Sequence, residues 1–171
     1  MKSIKDQLDL NKKKILLRLD LNVPLENGKV TDSTRIDKIL PTINLLLKNN
    51  AKVIILSHVG RPKGKIVKEL SLKPICEDLN IKINSNIKLI QKNIKEINSK
   101  DIFKNPNEKI VMLENLRFYA EEEENNNDFA KHLADLGDIY VNDAFSCSHR
   151  AHASISKIAK FLPSFSGLQL N

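Results

Sequence analysis

The chain has no tryptophan, five glycines, two cysteines and two methionines in 171 residues. Each shortage removes a class of explanation. There is no GxxxxGK[ST] phosphate loop and no GxGxxG turn, and five glycines leave little material for a nucleotide cradle of either kind. Cys76 and Cys147 lie far apart, without the paired spacing of a zinc set or a redox dithiol, so they read as two reduced thiols. No apolar run approaches the length that spans a bilayer. The opening MKSIKDQLDL has neither the apolar core nor the cleavage site of a secretory signal, so a cytoplasmic location with no membrane contact is expected. No serine sits in a nucleophile elbow, and His149-Arg150-Ala151-His152 lacks the spacing and the acid of a zinc-protease motif. Hydrolase and metalloenzyme chemistry rank low, and no metal ligands are expected.

Charge, by contrast, is abundant. Twenty-eight basic residues against 21 acidic ones give a net charge of +7 and a pI near 9.4. The lysines are scattered and mixed with acids, which describes a solvated surface better than a nucleic-acid stripe. Only five of the basic residues are arginines. Four of them, Arg35, Arg61, Arg117 and Arg150, each follow an apolar run that reads as a β-strand. Arginine grips carboxylate or phosphate with a fixed two-pronged geometry, where lysine is a mobile point charge. The pattern predicts an anion site assembled from several strand ends.

A hydrophobic content of 41% in a chain of this length predicts one globular domain over residues 1–171. Residues 13–21, 51–57, 108–114 and 138–145 read as strands, rich in branched apolar residues. A helix capped by Asp32 or Ser33 carries Ile36, Ile39, Leu40, Ile43, Leu46 and Leu47, with Pro41 expected to kink or divide it. Further helices are expected through Leu72, Ile75, Cys76 and Leu79, through Ile87, Ile90, Ile94 and Ile97, and through Phe129, Leu133 and Leu136. A short strand is expected at 81–83 and a last helix in ISKIAKFL. The acidic run Glu121 to Glu124 is read as favouring the positive end of the helix that follows it.

Alternating strands and helices predict an α/β fold: three αβα layers around a mostly parallel, doubly wound, Rossmann-like sheet. Ligands of such folds lie beyond the carboxyl ends of the strands. Asp20, Asn22, His58, Arg61, Glu114, Asn115, Arg117, Asn142, Asp143, His149, Arg150 and His152 all fall at that edge. Arg61, Arg117 and Arg150 with His58 suit a phosphate, and Asp20 and Asn22 suit a hydroxyl. Any one of them alone would more often be a surface ion pair, so the repetition at successive strand ends carries the weight. Arg18 lies inside the first strand and is read as structural.

LLRLDLNVPL, SHVGRPKG, VMLENLRFYAEEE and YVNDAFSCSHRAHAS, in this order, resemble the N-terminal domain of phosphoglycerate kinases, and the likeness runs from SIKD to LPSFSGLQL. It departs at Ser146-Cys147-Ser148, where the family commonly has Gly-Thr-Ala, and at Val59, where leucine is usual. The resemblance implies 3-phosphoglycerate or 1,3-bisphosphoglycerate as ligand, bound by Asp20, Asn22, Arg35, His58, Arg61, Arg117 and Arg150, with Arg35 catalytic. It also implies phosphoryl exchange with Mg-ATP or Mg-ADP held mainly by a C-terminal domain that these residues do not contain. No cofactor is then bound by this chain alone, and it is expected to be inactive without a nucleotide-binding domain, here or on a separate chain. Family members are usually monomeric. A stand-alone, non-enzymatic binder of small anions is the alternative reading.

Overall fold

The four apolar runs become the middle of a seven-stranded parallel sheet. The computed structural model describes residues 1–7 and 9–170. In chain order the strands are β1 (Lys2–Ser3), β2 (Lys14–Leu19), the pair β3 (Leu25–Glu26) and β4 (Lys29–Val30), β5 (Lys52–Leu56), β6 (Lys88–Ile90), β7 (Ile110–Leu113), β8 (Ile139–Asp143) and β9 (Ser164–Ser166). The helices are α1 (Thr34–Lys48), α2 (Lys73–Ile83), α3 (Ala120–Glu123) and α4 (Asn127–Ala134). The large sheet has the order β1-β9-β8-β2-β5-β7-β6, and every pairing in it is parallel. Strand β2 is central, with Ile15 opposite Val53 of β5 and opposite Ile139 of β8.

Alternate residues of each strand enter two separate cores, which is why the central strands are apolar throughout. Ile15, Leu17, Leu19, Val53, Ile55, Met112 and Val141 pack with Ile36, Ile39 and Ile43 of α1 and Ile75 and Leu79 of α2. Leu16, Ile54, Leu56, Val111 and Tyr140 pack on the other face with Phe129 and Leu133 of α4. Two cores, one on each side of a parallel sheet, make the three expected layers. After β2 the chain builds outward through β5, β6 and β7, then returns to the other side of β2 with β8. That reversal opens a crevice past the carboxyl ends of β2 and β8.

Several local expectations are corrected. Helix α1 runs unbroken through Pro41, which lies on the exposed face, where the carbonyl it leaves unpaired faces water. Of the two residues expected to cap it, Ser33 holds the N-cap position without a side-chain bond, and Asp32 supplies the side-chain contact, accepting from the Thr34 amide at 3.0 Å and from the Thr34 hydroxyl at 2.7 Å. Residues 81–83 are the last turn of α2, closed by Asn84 in the left-handed region at φ 49°. The isoleucines at 87, 90, 94 and 97 form no helix. Ile90 lies in edge strand β6 and Ile94 in a 3₁₀ turn, because pairing with β7 outweighs a helical spacing of apolar residues. ISKIAKFL holds a 3₁₀ turn, Lys157–Lys160, before strand β9, and α4 stops at Ala134, short of Leu136.

Candidate functional site

Every one of the seven residues expected to bind substrate lines one open cavity of about 280 Å³. Asp20, Asn22, Arg35, His58, Arg61, Arg117 and Arg150 share it with Gly60, Ser146 and Cys147. It lies at the crevice beyond β2, β5, β7 and β8. Arg35 reaches it by a different route from the one expected: it stands in the first turn of α1, after the β3–β4 hairpin, and not at a strand end.

The backbone of each loop is held by side chains that the ligand would not touch. Asn115, fully buried, donates to the carbonyls of Val59 at 2.8 Å and Leu70 at 2.9 Å, and accepts from the Arg117 amide at 3.0 Å. It joins the loop after β5 to the loop after β7. The Glu114 carboxylate accepts from Ser71 Oγ at 2.6 Å and the Leu72 amide at 2.7 Å, fixing the entry to α2. Asp143 accepts from the Gln169 amide at 2.9 Å, and burial pushes its carboxyl up from the ordinary range. Glu114, Asn115 and Asp143 are therefore scaffold. Asn142 is buried and accepts from the Ala144 amide at 3.0 Å, while His149 is exposed and outside the cavity. Gly60 needs its left-handed φ of 66°, and a Cβ there would fall 2.7 Å from Leu70 Cδ2. Its amide donates to Asn22 Oδ1 at 2.9 Å, tying the ends of β2 and β5 together.

Within the cavity the polar groups are unevenly satisfied. Arg35 Nη1 donates to Asp20 Oδ1 at 2.9 Å and Oδ2 at 2.8 Å. The same carboxylate accepts from the Asn22 amide at 3.2 Å and from Ser146 Oγ. Arg117 is 7% exposed, yet its Nε finds no partner among the described residues and its Nη1 makes only a long 3.4 Å bond to the Gly60 carbonyl. Burial, with Arg18 and Arg150 nearby, pushes its pKa down against the pull of Glu123. His58 is buried beside Arg18, with its pKa lowered to about 2 by desolvation first and by Arg18, Arg117, His152 and Arg150 after that. Four arginines around one cavity with a single carboxylate among its lining residues make a strong site for an anion carrying more than one charge.

The sequence as a whole points the same way. A family model described as phosphoglycerate kinase matches residues 4–171. The chain belongs to the phosphoglycerate kinase family. It is 52% identical over 165 residues to a phosphoglycerate kinase of Wolbachia pipientis from Culex pipiens, covering 96% of this chain and 41% of that one. It is 47% identical over 169 residues to that of Moorella thermoacetica, covering 98% of this chain and 42% of the relative. The solved phosphoglycerate kinase of Coxiella burnetii superposes with a TM-score of 0.87 at 40% identity, over 98% of this chain and 42% of that structure. The chain therefore spans about two fifths of the length of the phosphoglycerate kinases it matches.

Sequence reasoning missed three contributors to the cavity. Gly60, Ser146 and Cys147 line it, and Arg18, read as a structural strand residue, reaches His58 from below. The position of Arg18 was informative: a charged residue in the middle of an otherwise apolar central strand needs buried partners.

Proposed function

We propose that this chain is the phosphoglycerate-binding part of a phosphoglycerate kinase, which exchanges a phosphoryl group between 1,3-bisphosphoglycerate and ADP to give 3-phosphoglycerate and ATP. The observation that carries the reading is the convergence of Arg35, Arg61, Arg117, Arg150 and His58 with Asp20 and Asn22 on one cavity. Arg61, Arg117 and Arg150 with His58 hold the 3-phosphate, Asp20 and Asn22 take the hydroxyl, and Arg35 faces the carboxyl end. A carboxylate of pKa roughly 3.5 is ionised at neutral pH, so the nucleophile needs no general base. What remains for the protein is alignment and charge stabilisation, which positioned cations supply. Arg35 is the candidate catalytic residue, stabilising charge on the migrating phosphoryl group.

The magnesium-nucleotide does not fit the residues described. No group of three or more His, Cys, Asp or Glu among them could hold a metal ion, and the sequence carries no phosphate loop. We assign the nucleotide to the part of the longer family members that these residues do not cover, and expect the 171-residue chain to bind phosphoglycerate without forming ATP. None of the helices described is long and apolar enough to cross a membrane.

Calorimetric titration with 3-phosphoglycerate and with a short DNA duplex tests the reading. Saturable binding of 3-phosphoglycerate, weakened by Arg61→Ala or Arg150→Ala, is expected. Tighter binding of DNA than of phosphoglycerate would replace it with a nucleic-acid function, and robust ATP formation by this chain alone would overturn the division of labour.

A further inference from the structure

A second polar centre lies under the cavity floor, and the function proposed above does not use it. Arg18 of β2, Ser154 and Glu122 are each 0% exposed. Each nitrogen of the Arg18 guanidinium has a partner: Nε donates to Ser154 Oγ at 2.8 Å, Nη1 donates to the Leu19 carbonyl at 2.5 Å, and Nη2 lies 2.8 Å from His58 Nδ1. Behind it, Glu122 accepts from the Ser154 amide at 2.8 Å and from Ser154 Oγ at 2.5 Å, with Oε2 3.8 Å from Arg18 Nη2. Tyr140 closes the network, donating its hydroxyl to the Ser154 carbonyl at 2.7 Å.

The chemistry of the Arg18–His58 contact leaves one arrangement. A guanidinium carries donors only, so Nδ1 of His58 accepts and bears no proton. The ring proton is then on Nε2, which has no partner among the described residues on a side chain that lines the anion cavity. The titratable groups around the ring are Arg18 from β2, Arg117 from the loop after β7, and Arg150 and His152 from the segment after β8, of which the three arginines are charged. Glu122 of α3 is the acid of this centre, and its carboxylate is engaged by Ser154 and Arg18.

We propose that Arg18 is a positioning residue for the anion site, holding His58 as the neutral Nε2–H tautomer so that the imidazole presents one fixed hydrogen-bond donor to the ligand. Protonation of His58 would add a further positive charge to a cavity already lined by four arginines. The fixed tautomer supplies the hydrogen bond without that charge, and it does so unchanged across the physiological pH range. The identity of the ligand rests on the phosphoglycerate reading; the tautomer does not.

Imidazole ¹⁵N NMR on the full 171-residue chain tests the two separately. The wild-type spectrum, without ligand, is expected to show His58 with Nε2 protonated and Nδ1 bare, and no titration of that ring from pH 5 to pH 8. A proton on Nδ1, or a midpoint inside that range, overturns the proposal whether or not any variant folds. Arg18→Met removes the obligatory donor, so the Nδ1–H tautomer is expected to appear, and affinity for 3-phosphoglycerate to fall roughly tenfold or more. Arg18→Lys, which keeps a single donor, should restore the tautomer in part. An Arg18→Met chain that folds, changes tautomer and binds 3-phosphoglycerate as tightly as wild type overturns the positioning role. Should wild type bind no 3-phosphoglycerate, the functional reading fails while the tautomer result stands on its own.

Discussion

One nitrogen of Arg35 bonds both oxygens of Asp20, at 2.9 and 2.8 Å, so without ligand the two groups occupy each other. The Arg35 side chain is 47% exposed and that of Asp20 10%, which makes the pair a rim contact worth about 0–1 kcal/mol. A ligand bearing both a hydroxyl and a carboxylate can therefore exchange partners with it at little cost. On the proposed reading, Asp20 would turn to the hydroxyl and Arg35 to the anion.

Asp20→Asn separates these roles. The substitution keeps the shape, removes the charge that holds Arg35, and weakens acceptance from a ligand hydroxyl. Affinity for 3-phosphoglycerate should fall roughly tenfold, the scale of a hydrogen bond to a charged group, while affinity for inorganic phosphate, which offers no such hydroxyl contact, holds or rises. Parallel losses for both ligands in calorimetry would mean that Asp20 serves only to orient Arg35.

Arg117 presents the reverse situation, a nearly buried cation with an unpartnered Nε. A buried charge without a partner is costly, and an anion in the cavity relieves that cost. Arg117→Ala should thus raise the thermal midpoint of the ligand-free chain while abolishing the stabilisation that 3-phosphoglycerate gives wild type, about 2.7 kcal/mol at a hundred times its Kd. Arg117→Lys keeps charge but not the fork, and should lose roughly tenfold or more in affinity. A lower ligand-free midpoint in the alanine variant would show that the guanidinium is a net structural asset.

Stability should fall on the acid side because two histidines are buried neutral. Burial is the first cause lowering both the His58 pKa, to about 2, and that of His152. In the unfolded chain each titrates near the ordinary value of 6.5. The unfolded state then binds more protons below that value, so the stability present at pH 7 is lost progressively as pH falls through it. His58 alone accounts for about 2 kcal/mol between pH 7 and pH 5, as the unfolded ring goes from mostly neutral to almost fully protonated while the folded one stays neutral. Urea unfolding at both pH values measures this, and His58→Gln should flatten the dependence; equal slopes in the two proteins would place the acid sensitivity elsewhere.

The parts of this fold written in local pattern were legible and those decided by long-range pairing were not. The central strands could be read because burial on both faces forces continuous apolar runs, and the strand-end arginines because nothing in a core calls for them. β6 could not, since its three residues are half-buried at a sheet edge and share a helical spacing with their neighbours. Strands β1 and β9 pair with each other across almost the whole chain, Lys2 opposite Phe165, and no local window contains that contact. The β3–β4 hairpin did leave a signal: Asn27-Gly28, at φ 52° and 73°, is the two-residue turn that such pairs favour. Six of the seven cavity residues were found together because four motifs delivered them, and Arg35, outside those motifs in the first turn of α1, came from the family resemblance, whereas Arg18 needed the three-dimensional neighbours Ser154 and Glu122 to show its connection to the site.

The acidic run Glu121 to Glu124 offers the sharpest mutational contrast. Its expected role was to complement a helix end, but α4 is capped by Asn126, whose side chain accepts from the Phe129 amide at 2.9 Å. Glu122 instead points into the protein, where Ser154 and Arg18 hold its carboxylate, while Glu123 and Glu124 are exposed. Glu122→Ala leaves Arg18 charged and buried without its counter-ion, a defect worth about 3–5 kcal/mol. Glu123→Ala and Glu124→Ala remove solvated charges and should stay within about 0.5 kcal/mol of wild type. Because Arg18 also holds His58, the Glu122 variant should disturb the His58 imidazole spectrum as well as the unfolding midpoint, and its neighbours should disturb neither. Equal effects at all three positions would restore the reading in which the run acts only through its charge.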